Sequence, residues 1–176
     1  MRPVLAHSAA AVCALLALSC IGAASAAAAE PSVFRVERVV DGDTIALRNG
    51  RRVRLVQIDT PEVYFGLECY GREASARAKE LLPPGTAVYL LVEPATDRVD
   101  DYGRLLRYVV RVADGLNVNL RLVADGAAAP YFFDGRRGRY AGRIEALALG
   151  ARREGRGLWK ACPHTRYDPY EGVESR

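Results

Sequence analysis

The sequence predicts a mainly β domain of the α+β class, a small five-stranded barrel with about three helices packed on it. Three observations carry this. Apolar-rich segments of strand length recur between residues 32 and 112. Turn signals such as Asp41-Gly42 and Asn49-Gly50 separate the early ones. Helical patterns follow the third and the fifth of these segments.

Ser32 to Val40 reads as the first strand, with Val33, Val36, Val39 and Val40 interleaved with charge. Asp41-Gly42 turns the chain into a second strand, Thr44 to Leu47. Asn49-Gly50 is a strong hairpin signal, and Arg51 to Ile58 is the third strand of a meander. Pro61-Glu62 ends it, and Tyr64 to Tyr70 is a loop containing Gly66. Glu73 to Leu82, rich in Ala, Glu, Arg, Lys and Leu, reads as a helix that stops at Pro83-Pro84-Gly85. Thr86 to Val92 and Arg104 to Val112 are the fourth and fifth strands, the latter turning at Asp114-Gly115. Val118 to Ala124 is a short helix ending near Gly126. Tyr140 to Glu154 is a longer amphipathic helix, with Ile144, Leu147 and Ala148 at three- and four-residue spacing and Gly155 and Gly157 at its end. The five-stranded OB barrel is the natural closed solution, although the pattern alone also admits another α+β arrangement.

Residues 1–29 read as a secretory signal peptide, with an approximate cleavage point. Arg2 supplies the positive start, Ala9 to Ile21 the uncharged apolar stretch, and Ala24-Ser25-Ala26 the small residues of a cleavage site. An uncleaved anchor is the alternative, but the stretch is short for a span of about 20 residues. Lipid attachment at Cys20 is a third option, which Ala17 disfavours because a bulkier aliphatic residue belongs there. Residues 30–176 form the domain, with a short C-terminal tail. The expectation is an exported protein, periplasmic or secreted, monomeric and with no membrane span in its mature form.

The chain carries 25 Lys and Arg against 21 Asp and Glu, a net charge of +4. This mild bias does not by itself imply a polyanionic partner. Arg136, Arg137, Arg139, Arg143, Arg152, Arg153 and Arg156 crowd the C-terminal quarter. They read either as a solvated helix face or as a patch for phosphate backbones.

Of four cysteines, Cys13 and Cys20 lie in the leader, which leaves Cys69 and Cys162. An oxidising compartment favours their bridging. A bridge closing so long a loop is worth about 4–5 kcal/mol at most in the chain-entropy view. Two unpaired thiols, or two zinc ligands, are the alternatives.

Much chemistry is excluded. His164 is the only imidazole after the leader, so two-histidine mechanisms and His-rich metal clusters are out. There is no Gly-x-Ser-x-Gly elbow and no Gly-x-x-x-x-Gly-Lys phosphate loop. An acid–base enzyme here relies mainly on carboxylates. Asp41 and Asp43, two apart where a strand begins, can project to one side. Asp59 ends the third strand, and strand ends can meet at one barrel edge. Carboxylates with a carbonyl and waters suit Ca²⁺, which takes about six to eight oxygens. Taken singly, Asp41-Gly42 reads as a turn and Asp59-Thr60-Pro61-Glu62 as a capped helix start. Arg54 sits in an apolar run and needs an anionic partner, a phosphate or a structural carboxylate. Arg104 offers forked donors that match phosphate oxygens. Tyr102 beside it reads as a substrate contact or as barrel packing. Tyr131-Phe132-Phe133 could stack a base or fill the core.

The strings Val39-Val40-Asp41-Gly42-Asp43-Thr44-Ile45, Arg54-Leu55-Val56-Gln57-Ile58-Asp59-Thr60-Pro61-Glu62 and Asp101-Tyr102-Gly103-Arg104 resemble, in order, the three signature blocks of the staphylococcal nuclease (thermonuclease) family. Cys69-Tyr70-Gly71-Arg72-Glu73-Ala74 and Gly157-Leu158-Trp159 are also similar to exported members, and the resemblance covers roughly residues 33 to 160. It implies the OB-fold barrel and a Ca²⁺-dependent, sugar-nonspecific nuclease that cleaves DNA and RNA by in-line attack of water, leaving 3′-phosphates. Asp43, Asp59 and the Thr60 carbonyl would be direct Ca²⁺ ligands, and Asp41 would act through a water. Glu62 would be the general base, Arg54 and Arg104 would hold the phosphate, and Tyr102 would contact substrate. Asp101 departs from the lysine of the best-known member, which implies a weaker hold on a terminal phosphate. A noncatalytic OB-type nucleic-acid-binding module is the alternative function. Intact Asp43, Asp59, Glu62, Arg54 and Arg104 speak against it.

Overall fold

The computed structural model describes residues 32–64 and 66–176. The expected signal peptide and cleavage site, with Cys13 and Cys20, lie outside the described residues. The strands are β1 (Val33–Val39), β2 (Thr44–Leu47), β3 (Arg52–Leu55), β4 (Ile58–Asp59), β5 (Ala87–Val92), β6 (Leu105–Arg111), β7 (Ala129–Pro130), β8 (Arg166–Asp168) and β9 (Gly172–Glu174). The helices are α1 (Gly71–Leu81), α2 (Val118–Ala124), α3 (Ala141–Arg153) and α4 (Leu158–Ala161), with a 3-10 turn at Phe133–Gly135. Helix α4, a single turn, is the addition to the three helices expected from sequence.

Strands β1, β2, β3, β6 and β5 close into a barrel in that order, the expected OB-type architecture. The Asp41-Gly42 and Asn49-Gly50 turns join the antiparallel pairs β1–β2 and β2–β3, whose registers include Val39 opposite Ile45 and Ile45 opposite Val53. Closure comes from two long-range pairings, β1 with β5 antiparallel and β3 with β6 parallel. The parallel pair departs from a simple meander, because β3 meets β6 only after α1 and β5 intervene. Val36, Ile45, Leu47, Val53, Leu55, Val88 and Tyr108 are almost wholly buried in one apolar cluster, joined by Ala74 and Ala78 of α1, Leu122 of α2 and Ile144 of α3.

The third predicted strand is broken. β3 stops at Leu55, and Gln57 adopts φ 67°, a left-handed conformation uncommon for a residue with a side chain. Buried polar groups hold this break. Asn119, fully buried on α2, donates to Val56 O at 2.9 Å and accepts from Val109 N at 3.0 Å. Gln57 Nε2 donates to Arg136 O at 2.6 Å, and its Oε1 accepts from Gly138 N at 2.8 Å. The break frees Ile58 and Asp59 to pair with β7 instead of continuing the barrel wall.

The expected C-terminal tail is a β hairpin, β8–β9. It contributes Val173 to a second apolar cluster with Ala129, Leu158 and Cys162. Cys69 and Cys162 form the disulfide, 93 residues apart in sequence, with Cα atoms separated by 5.9 Å. No helix among the described residues is long and apolar enough to cross a membrane.

Candidate active site

A cleft of about 460 Å³ opens where β2, β4 and β6 begin. Its lining includes Asp41, Asp43, Arg54, Asp59, Thr60, Glu62, Tyr102 and Arg104, so every candidate catalytic, ligand and substrate residue from the sequence meets there. Each arrives by a simple route. The Asp41-Gly42 turn delivers Asp43 to the start of β2, and β3 carries Arg54. The Gln57 break aims Asp59, Thr60 and Glu62 at the same edge. The Asp100–Gly103 turn places Tyr102 and Arg104 on the opposite lip.

Arg54 is the hub. Its Nε lies 3.0 Å from Asp43 Oδ1 and its Nη2 2.9 Å from Asp59 Oδ1. Its Nη1 donates to Leu55 O at 2.8 Å and to Ile58 O at 2.7 Å. Four of its five N–H donors are thus engaged within the protein. Burial acts to lower the Arg54 pKa, but Asp43, Asp59, Asp41 and Glu62 outweigh it and hold the guanidinium charged.

Asp43, 6% exposed, accepts at both carboxylate oxygens. Its Oδ2 accepts from Thr60 N and Thr60 Oγ1, both at 3.0 Å, and its Oδ1 accepts from Thr44 Oγ1 at 3.3 Å. Asp41 Oδ1 accepts from Asp43 N at 3.1 Å, which folds the turn back on itself. Gly42 is required at its centre, because a Cβ there would sit 2.5 Å from Thr60 Oγ1. Asp59 Oδ2 accepts from Val173 N at 3.0 Å.

Arg104 is held differently. Its Nε lies 2.7 Å from Asp100 Oδ2, and its backbone N donates to Asp100 Oδ1 at 2.8 Å. Nη1 makes one long contact, 3.5 Å, to Thr44 Oγ1. The outer edge of this guanidinium therefore faces the cleft with donors to spare. Its Cζ stands 5.2 Å from the centre of the Tyr102 ring, and Tyr102 is 84% exposed.

The cleft holds more negative charge than its arginines neutralise. Burial pushes the Asp59 carboxyl up to about 6, with Asp43 and Glu62 adding to it and Arg54 opposing. Burial and then Asp43 raise Asp41. Glu62, on the exposed rim, is raised by desolvation and by Asp43 and Asp41. A hard divalent cation relieves such an excess and prefers oxygen donors of this kind. Among the described residues no three His, Cys, Asp or Glu side chains are arranged to hold a metal. A cation here would thus draw on two carboxylates, Asp43 and Asp59, and on neutral oxygens such as the Thr60 carbonyl.

The C-terminal arginines divide. Arg136 pairs with Asp97 and also lines the cleft, Arg137 pairs with Glu145, Arg139 with buried Glu93 and Arg156 with Glu154, so each of these four is ion-paired within the protein. Arg152 instead lies over the Trp159 ring. The aromatic run divides too: Phe132 is fully buried, while Tyr131 and Phe133 line the cleft.

Sequence reasoning passed over four contributors. Asp100 orients Arg104 and stands in the Asp-Asp-Tyr-Gly-Arg string, where a carboxylate four residues before an arginine is a visible signal. The hydroxyls of Thr44 and Thr60 hydrogen-bond Asp43 and lie within the quoted motifs. No sequence motif links the Val173 amide to Asp59.

The model of the family described as Staphylococcal nuclease homologue matches residues 52–161. Endonuclease YhcR of Bacillus subtilis (strain 168) is 32% identical over 77% of this chain, an alignment covering 12% of its own length. An uncharacterized endonuclease of Escherichia coli O157:H7 is 37% identical over 71% of this chain and 75% of its own. Thermonuclease of Staphylococcus hyicus is 31% identical over 74% of this chain and 78% of its own. The chain spans less than half the length of several of the curated relatives it matches. The signature strings, the five-stranded barrel and these similarities agree: the chain belongs to the staphylococcal nuclease family.

Proposed function

We propose that this chain is an exported, Ca²⁺-dependent nuclease that hydrolyses phosphodiester bonds of DNA and RNA without regard to the sugar. The observation that carries the proposal is the convergence of Arg54, Arg104 and Glu62 on one cleft with the Asp43–Asp59 carboxylate pair. Phosphodiester hydrolysis adds negative charge to a five-coordinate phosphorus, so donors aimed at that charge lower the barrier. Arg104 supplies the open fork. Arg54 supplies its one remaining donor and fixes both aspartates. Glu62, its carboxyl raised by desolvation and by the nearby aspartates and standing on the rim, orients a water or takes its proton. In-line attack then expels the 5′ oxygen and leaves a 3′-phosphate. Ca²⁺, held by Asp43, Asp59 and the Thr60 carbonyl with Asp41 acting through a water, would supply further charge neutralisation at the phosphate. Exposed Tyr102 would lie against the substrate. Export agrees with the leader-like residues 1–29 and with a disulfide, which persists in oxidising compartments.

Single-stranded DNA and RNA incubated with the purified protein in Ca²⁺ at alkaline pH test this directly. Cleavage to 3′-phosphate ends that stops with EGTA is expected. Intact substrate in Ca²⁺ refutes the enzyme and leaves a binding module.

A further inference from the structure

The C-terminal hairpin reaches the cleft from outside the barrel. β9 packs beside β4 and β7, and Val173 N donates to Asp59 Oδ2 at 3.0 Å. Gly172, at φ 100°, sits so close that a Cβ would fall 2.6 Å from the same oxygen. The other Asp59 oxygen is held by Arg54, so the hairpin amide and the guanidinium fix the carboxylate from its two ends. Two residues on, Ser175 clasps Cys69: Ser175 Oγ donates to Cys69 O at 2.6 Å, and Cys69 N donates to Ser175 O at 3.2 Å. Cys69 is bonded to Cys162, which packs with Val173 in the second apolar cluster. Contacts thus run unbroken from the disulfide through Ser175 and Val173 to Asp59.

We propose that the β8–β9 hairpin is a positioning element of the active site, with the Val173 amide setting Asp59 and the Cys69–Cys162 disulfide holding the hairpin in place. The proposal rests on Asp59 as a Ca²⁺ ligand. Groups that orient a ligand typically change metal affinity by about 10–100-fold when lost. The consequence is redox dependence. A dithiol that passes two electrons and two protons to the disulfide, itself closing to a cyclic disulfide, frees Cys69 and Cys162 as thiols. The hairpin loses its staple, and Asp59 loses one of its two anchors. Before export, in a reducing compartment, the site is incomplete; oxidation completes it.

The test uses the mature chain, oxidised or reduced with dithiothreitol, and the oxidised Gly172→Ala variant. Ca²⁺ affinity is measured by calorimetry without substrate, and Val173 and Val53 amide exchange by NMR in EDTA. Reduction is expected to speed exchange at Val173 while Val53, in the barrel core, stays protected, and to weaken Ca²⁺ binding about tenfold. Gly172→Ala, with its disulfide intact, is expected to weaken Ca²⁺ binding by a similar factor. Should reduction unfold the barrel, the oxidised Gly172→Ala variant alone decides. Unchanged Ca²⁺ affinity in that variant overturns the proposal. Asp59→Asn separates the two readings. If it binds Ca²⁺ like wild type, the ligand assignment is wrong; if it loses Ca²⁺ while Gly172→Ala does not, the hairpin's role is wrong.

Discussion

The Arg54 guanidinium lies 3.0 Å from the Asp43 carboxylate in a site where both side chains are almost wholly buried. This pair organises the cleft, because the same guanidinium also reaches Asp59 and two backbone carbonyls. Removing the cation leaves Asp43 and Asp59 with uncompensated buried charge. Arg54→Met should cost about 3 kcal/mol or more in EDTA, the scale of breaking a buried pair from one side. Urea unfolding measures it, and added Ca²⁺ should recover part of the loss by binding the folded state. A stability unchanged in EDTA would mean that Arg54 serves substrate alone.

Glu62 poses the opposite case. It is exposed, and among the described residues no ion pair holds its carboxylate. Glu62→Gln should leave unfolding stability within about 0.5 kcal/mol of wild type while lowering kcat by about 10²–10⁴-fold. Single-turnover cleavage of a short oligonucleotide separates the two effects. A rate near wild type would remove Glu62 from the chemistry.

Arg104 depends on Asp100 for its pose. Losing a donor aimed at developing charge costs about 10²–10³-fold in kcat, so Arg104→Ala should fall in that range. Arg104→Lys should recover little, because an ammonium lacks the planar fork. Asp100→Ala leaves the fork intact but unanchored, and its loss of kcat should lie between wild type and Arg104→Ala. Equal rates for wild type and Asp100→Ala would show that the 2.7 Å pair is not needed for catalysis.

The architecture was legible in the sequence wherever the signal was local. Asn49-Gly50 marked the β2–β3 hairpin, and the apolar runs marked the strands themselves. The break after Leu55 was not legible. Glutamine is no turn signal, and its left-handed φ is held by partners 79 and 81 residues away. The parallel β3–β6 pair was hidden for the same reason, since strand pairing across intervening elements leaves no trace in a short window. The site residues were legible as a motif, but their division of labour was not. Arg54 and Arg104 look alike in sequence, and only their partners separate a nearly saturated hub from an open fork. The C-terminal hairpin had a turn signal of its own: Asp168-Pro169 and Gly172, at the facing ends of its two short strands, are turn-forming residue types.

The raised Asp59 pKa makes a signed prediction about pH. In the folded, metal-free protein the carboxyl titrates at about 6, above its ordinary value of 3.8. Between those values the folded state binds more protons than the unfolded state, so this group's contribution to stability falls as pH rises through the window. Other acids shift the opposite way: Arg137 holds Glu145 low, and Arg111 does the same to Asp114. The useful quantity is therefore the difference between wild type and Asp59→Asn. Measured by urea unfolding in EDTA, wild type should lose stability relative to the variant between about pH 4 and 6, on the order of 1–3 kcal/mol. A flat difference would place the Asp59 pKa at its ordinary value. In the same window protons compete with Ca²⁺, so apparent Ca²⁺ affinity should fall as pH drops below about 6.

Gly42 is confined by its surroundings. Its backbone is not in the left-handed region, so the constraint is space rather than φ. A methyl group there would lie 2.5 Å from Thr60 Oγ1 and 2.7 Å from Thr60 Cβ. Thr60 cannot yield freely, because its amide and hydroxyl both hold Asp43 Oδ2. Overpacking at a tight contact typically costs about 1–3 kcal/mol. Gly42→Ala should therefore destabilise the fold by about that much and also move Asp43, so Ca²⁺ affinity should fall with stability. Gly142→Ala, on α3 where a Cβ meets nothing, is the control and should not be destabilising. Calorimetric Ca²⁺ titration beside urea unfolding checks both. A Gly42→Ala protein with reduced stability but wild-type Ca²⁺ affinity would show that the turn supports the fold without setting the ligand.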